Sequence, residues 1–262
     1  MGLPSKQLVR ERLRSLRARP HPAPLFVFGN QKSGTSAITG LLAAATGRAA
    51  TIDLSGATEP HLGRLLHGET TLDDFIRRNA FSFSRPIVKE GNLTFMAKPL
   101  MDHFGVSRAI FILRNPYDNI RSILNRLRLP GDLAELDARR LCLNRTWRAI
   151  LSGTDLGFEP DHYVATLARR WQRAAEIYEQ METRFVPVRY HDFMADKTGT
   201  IRRLAQECAL PVRHDITPLL GHRFQRRGDA GTDLRRFFGS DNLARIAGTC
   251  GDTAERLGFP AP

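Results

Sequence analysis

The chain has only three cysteines, Cys142, Cys208 and Cys250, widely spaced and without a CxxC pair. A disulfide framework and a cysteine zinc site are therefore both excluded. No apolar run approaches the roughly 20 residues that a membrane helix requires. The stretch before Leu25 is basic but lacks the apolar segment of a signal peptide. These absences predict a cytoplasmic protein with no transmembrane segment. Lysine is scarce: five of the 39 basic residues, at positions 6, 32, 89, 98 and 197, against 34 arginines. Where arginine is the default, a lysine marks a place that needs a compact, flexible ammonium. Acidic residues are also few, 27 against 39, and the net charge of +12 calls for an anionic partner. Nucleic acid, a membrane surface and a phosphorylated small molecule all satisfy that demand. The basic runs carry no interleaved aromatics, so no nucleic-acid partner is expected.

The composition that remains is that of a folded protein. With 262 residues, 42% apolar and 25% charged, the chain can bury a full core without staples. A basic helix over 5–19, with Leu8, Leu13 and Leu16 on one side, ends at Pro20, Pro22 and Pro24. Residues 1–24 thus read as an N-terminal arm, and its arginines as a solvated face. Short apolar runs at 25–29, 86–88, 109–113 and 185–190 read as buried strands. Helical patterns fall at 37–45, 62–67, 72–79, 115–127, 162–183, 201–208 and 243–257. Asn115 and Pro116 form a helix start. Strands alternating with helices predict a three-layer α/β domain with a mainly parallel central sheet over 25–262. Residues 130–165, polar and rich in arginine, form an expected acceptor-binding insertion. Trp171 is expected in the core of the long helix.

The strongest local signal is Gly29-Asn30-Gln31-Lys32-Ser33-Gly34-Thr35-Ser36, set between a strand and a helix. Small residues allow a tight turn, and the helix start presents N–H groups to an anion. The pattern is P-loop-like, close to G-x-x-x-x-G-K-S/T, but Thr35 stands at the lysine position and Lys32 lies before the second glycine. A nucleoside triphosphatase would also need a strand ending in Asp to hold magnesium. The strand at 109–113 ends instead in Arg114, with Ser122 eight positions later, two turns into the next helix. Arginine there recruits a second anion rather than a metal, so the ligand is expected to be phosphorylated at both ends.

These residues resemble the PAPS-dependent sulfotransferases (PAPS is 3′-phosphoadenosine 5′-phosphosulfate). The segment from Phe28 to Thr35 is similar to their 5′-phosphosulfate loop, and Ile112 to Asp118 with Ser122 to their 3′-phosphate motif. Val188-Arg189-Tyr190-His191-Asp192-Phe193 resembles a strand-end element whose tyrosine lies near adenine. Arg226-Arg227-Gly228-Asp229-Ala230-Gly231, followed by Phe237-Phe238, resembles the late segment that closes over the 3′-phosphate. The four motifs run in the family's order.

Three departures point to a divergent bacterial or carbohydrate/tyrosine-type branch. Ala37 stands where cytosolic members place an adenine-stacking tryptophan, Lys89-Glu90-Gly91 replaces their K-T-H element, and Gly231-Thr232-Asp233 replaces their final G-D-W.

The resemblance implies PAPS as co-substrate, PAP as product, no metal, and an acceptor bearing a hydroxyl or amine, such as a glycan, glycolipid or secondary metabolite. It assigns cofactor binding to Gln31, Lys32, Ser33, Gly34, Thr35, Ser36, Arg114, Ser122, Tyr190, Arg226, Arg227 and Gly228, with Lys32 serving the leaving oxygen. Sulfuryl transfer also needs a base for the acceptor. Glu59, which follows the first helix of the domain, is narrowly preferred over Glu90; His61, Asp53 and His103 are weaker. Lys89 either contacts the sulfuryl group or pairs with Glu90. A P-loop kinase and a non-catalytic nucleotide- or polyanion-binding protein remain as alternatives.

Overall fold

The structure, a computed structural model, describes residues 6–137, 141–222 and 233–262. Five strands form one sheet: β1 (Leu25–Phe28), β2 (Ala50–Ile52), β3 (Ile87–Lys89), β4 (Ala109–Leu113) and β5 (Phe185–Arg189). Their order is β2-β3-β1-β4-β5, and every pairing is parallel. The first half of the chain supplies helices α1 (Lys6–Ser15), α2 (Thr35–Thr46), α3 (His61–Leu66), α4 (Leu72–Arg78), α5 (Ala80–Phe83) and α6 (Ala97–His103). The second supplies α7 (Pro116–Leu127), α8 (Arg145–Ser152), α9 (Tyr163–Gln180), α10 (Tyr190–Ala195), α11 (Lys197–Glu207) and α12 (Leu234–Arg256). The expected three-layer α/β architecture is what the chain adopts. No helix among the described residues is long and apolar enough to cross a membrane.

Strand alternation builds the two cores. Phe26 and Phe28 of β1, with Ala109, Phe111 and Leu113 of β4, face a large cluster that takes in α7, α9 and α12. Val27, Ile110, Ile112, Val186 and Val188 point the other way, onto α2 and α11. Side chains on a strand change face at every residue, so these continuous apolar runs are what a sheet covered on both sides requires.

The central position of β1 sets the site. The chain leaves β1 for the far edge at β2, returns to β3 on one flank of β1, and then crosses to β4 on the other. Ligand crevices in parallel α/β sheets open at such a reversal, beyond the carboxyl ends of the strands. The loops after β1, β3 and β4 all leave the sheet there.

Several boundaries differ from the sequence reading. β2 is three residues, too short for a period to register. α8 lies inside the stretch read only as polar. It has Asn144 as its cap, with Oδ1 accepting from the Trp147 amide at 2.9 Å, and buries Ile150 and Leu151. The last helix begins at Leu234 rather than near 243 and is kinked at Gly239, where φ is 68°.

Candidate active site

The loop after β1 passes very close to β4. A Cβ on Gly29, whose φ is 144°, would stand 2.7 Å from the Ile112 carbonyl oxygen, so no side chain fits. Thr94 ties the same residue, accepting from the Gly29 amide and donating to its carbonyl, both at 3.0 Å. Asn119, fully buried on α7, braces the loop from beneath. Its amide nitrogen donates to the Gln31 carbonyl at 2.9 Å and to Ser33 Oγ at 3.0 Å, while its oxygen accepts from Asn30. Gly34, at φ 93°, lies under the Tyr190 ring, 2.4 Å from where a Cβ would stand. Helix α2 then starts with no side-chain cap and no acidic residue in its first turn. Its positive end is therefore presented to an anion.

The end of β4 supplies a second basic corner. The Arg114 guanidinium lies over the Tyr190 ring at 4.4 Å, and its Nη1 donates to the Lys32 carbonyl at 2.6 Å. Trp171, buried on α9, donates to the Arg114 carbonyl at 2.8 Å. The Arg114 Nε is buried with no partner among the described residues, and burial lowers the pKa of the group. A buried guanidinium with an unmatched donor is suited to an oxyanion. Ser122, Asn125 and Arg126 continue this corner along α7.

The third corner joins the ends of β2 and β3. Asp53, at φ 64°, accepts a hydrogen bond from the Lys89 ammonium, and its backbone amide donates to the Lys89 carbonyl at 3.0 Å. The Lys89 side chain is 5% exposed and that of Asp53 56%, so the carboxylate is the accessible partner. Glu90 is held differently. One of its oxygens accepts from the Leu54 amide at 2.9 Å and the other from the Asn92 amide at 3.0 Å. Burial raises its pKa. Glu90 clamps the turn that carries Asp53.

The loop, the Arg114 corner and the Asp53–Lys89 pair line one cleft of about 890 Å³. Of the residues expected at the site, Gln31, Lys32, Gly34, Thr35, Ser36, Lys89, Glu90, Arg114, Ser122 and Tyr190 border it, and Ser33 is buried under the loop. Burial, reinforced by Arg126, Arg114 and Lys89, lowers the Lys32 pKa to about 8. Arg226, Arg227 and Gly228 lie outside the described residues. Glu59 and His61 are not among the residues that border the cleft. The Glu59 carboxylate lies against Gly63 at the start of α3, and burial raises its pKa. His61 borders a separate small pocket with Arg64 and Phe75. Chain order alone favours Glu59, whereas its carboxylate lies against the start of α3.

Arg170 escaped the sequence reading. Fully buried on α9, it donates to Asp155 at 2.6 Å, to Gln31 Oε1 at 3.0 Å and to Asn92 at 3.2 Å, and lies over the Phe95 ring at 4.5 Å. One side chain thus joins the loop, the turn after β3 and the segment after α8. The available signal was an arginine set within the apolar stripe of a helix, between Leu167 and Ala174. Arg170→Met should cost about 3–5 kcal/mol of stability, because Asp155 would stay buried without its counter-charge. Denaturant unfolding checks this, and a loss within about 1 kcal/mol, that of a surface pair, would contradict it.

No known protein-family model and no curated protein matches the sequence. Solved structures resemble the chain in fold. The crystal structure of the sulfotransferase STF9 from Mycobacterium avium matches 97% of this chain and 81% of its own, with a TM-score of 0.57 and 16% identity. Sulfotransferase STF1 from Mycobacterium tuberculosis matches 94% of this chain and 82% of its own, with a TM-score of 0.51 and 14% identity. The sulfotransferase domain from the curacin biosynthetic pathway matches 93% of this chain and all of its own, with a TM-score of 0.51 and 13% identity. The likeness is one of backbone, and the chain has the fold of these sulfotransferases.

Proposed function

We propose that this protein transfers a sulfuryl group from PAPS to a hydroxyl or amine of an acceptor molecule. The observation that carries this reading is the pair of anion corners, the loop after β1 and Arg114 with Ser122 after β4, facing one cleft. Their ligand has phosphate at both ends, which matches a nucleotide bearing 5′-phosphosulfate and 3′-phosphate. Lys32 and the start of α2 hold the 5′ end, Arg114 and Ser122 hold the 3′-phosphate, and Tyr190 lies against the base. In transfer, the acceptor oxygen or nitrogen forms a bond to sulfur as the bond from sulfur to the phosphate oxygen breaks. Lys32 meets the charge that develops on the departing oxygen. Asp53, accessible beside Lys89, takes the acceptor proton, which then passes to solvent. Glu90 positions the turn, and Glu59 and His61 stay outside the reaction. Leu54, Ala57, Trp147 and Ile150 also line the cleft, favouring an acceptor with apolar surface beside its reactive group.

Incubation of acceptor pools with PAPS, followed by mass spectrometry, tests the reaction. One compound should gain a sulfuryl group in step with release of the bisphosphate; bisphosphate release with no modified acceptor in any pool would oppose transfer. The cofactor corner has its own test. Arg114→Ala removes a charge-assisted contact, so affinity for 3′,5′-bisphosphorylated adenosine should fall by roughly ten- to a hundredfold. Affinity for AMP, which lacks the 3′-phosphate, should fall far less. Equal losses for the two ligands would mean that Arg114 acts only by holding the loop.

A further inference from the structure

Three apolar residues of the arm face away from the protein. Val9 and Leu13 of α1, and Leu16 in the turn after it, are 42%, 61% and 82% exposed. They are three of the seven large hydrophobic residues exposed among the described residues. At about 100° per residue, Val9 and Leu13 share one face of the helix. Among the described side chains of α1, those that contact the protein are polar. Ser15 is buried, accepts from the Phe81 amide at 3.1 Å and donates to the Glu11 carbonyl at 2.8 Å. The Arg14 guanidinium lies 5.0 Å over the Phe81 ring. The arm is anchored again where the His21 amide donates to the Phe83 carbonyl at 2.8 Å. Arg10, Arg17 and Arg19, close to these residues in sequence, are exposed as well.

We propose that α1 and the turn after it dock on an anionic lipid bilayer, independently of the reaction above. Val9, Leu13 and Leu16 would enter the boundary between headgroups and acyl chains, while Arg10, Arg17 and Arg19 meet lipid phosphates. Charge selects this occupant. A second copy docked by the same stripe would bring the same arginines together, and like charges oppose that contact. Nucleic acid would satisfy the arginines but would leave the leucines in water, with no aromatic on this face to stack on bases.

Flotation of the full chain with vesicles tests the assignment. Vesicles of phosphatidylcholine alone are compared with a three-to-one mixture of phosphatidylcholine and phosphatidylglycerol. The protein should partition onto the mixed vesicles and not onto the neutral ones. The double variant Leu13→Asp/Leu16→Asp should weaken that partition by about tenfold or more, since two inserting side chains are lost. Arg10→Glu/Arg17→Glu should weaken it comparably. Undiminished binding by the leucine variant would overturn the assignment, because charge alone would then hold the protein. So would failure of the wild type to bind, or a wild-type dimer in light scattering that the leucine variant renders monomeric. The leucine variant should melt at the wild-type temperature. A large drop would place the stripe in the core, and would overturn the docking surface equally.

Discussion

Asp53→Asn should lower sulfuryl transfer by about 10²–10⁴-fold, the usual worth of a general base, while binding of the bisphosphate product is unchanged. The substitution keeps an oxygen for the Lys89 ammonium, so the hydrogen bond between β2 and β3 can persist while the proton acceptor and its negative charge are lost. Two companion variants separate this role from its neighbours. Glu90→Gln puts an amide NH₂ where a carboxylate oxygen now accepts a backbone N–H, from Leu54 or Asn92. That variant should lose about 1–3 kcal/mol of stability, the cost of a buried mismatch. Glu59→Gln, outside the cleft, should transfer at close to the wild-type rate. Single-turnover rates with one confirmed acceptor, together with melting temperatures, decide among them. A near-normal Asp53→Asn beside an inactive Glu59→Gln would return the base to Glu59.

Lys32→Ala should reduce kcat by about 10²–10³-fold, comparable to the loss of one donor to a developing oxyanion. Ground-state binding of the bisphosphate should suffer less, because the leaving-group charge appears fully only in the transition state. A variant with normal kcat and a raised KM would show that Lys32 merely anchors phosphate. The free-enzyme pKa of about 8 adds a signature. Lys32 must be protonated to meet the leaving oxygen, so kcat/KM, which reports the free enzyme, should decline as the pH rises through about 8. In Lys32→Arg any residual activity should lose that decline, since a guanidinium keeps its proton. In Asp53→Asn the decline should move to lower pH, because the Asp53 charge helps to hold the Lys32 proton.

What the sequence made legible was local. The run from Leu25 to Ser36 and the run from Ala109 to Ser122 each carry strand, turn and helix start within a few residues, so their patterns declare the fold and the two proposed anion corners. The scarcity of lysine singles out Lys32 and Lys89. The corner proposed for the base is harder to read because it is tertiary. Asp53 and Lys89 lie on separate strands that become neighbours only when β2 pairs with β3. Chain order favoured Glu59 and gave no sign that its side chain turns into the start of α3. Arg170 sits among apolar positions of α9, where its partners come from three distant segments. On α1 and the turn after it the sequence pattern picks out Leu13 and Leu16 but not Val9, and their outward orientation depends on how Ser15 and Arg14 pack on Phe81.

The central claim is that the two anion corners bind one nucleotide phosphorylated at both ends. Isothermal titration of the wild-type protein in the presence of a metal chelator tests it most directly, with 3′,5′-bisphosphorylated adenosine, AMP and ATP as ligands, the ATP titration being repeated with magnesium in place of chelator. The bisphosphate should bind at least about tenfold more tightly than AMP, as one charge-assisted phosphate contact requires, and ATP should bind poorly with or without magnesium. Equal affinity for AMP and the bisphosphate, or tight binding of ATP that depends on magnesium, would contradict the account.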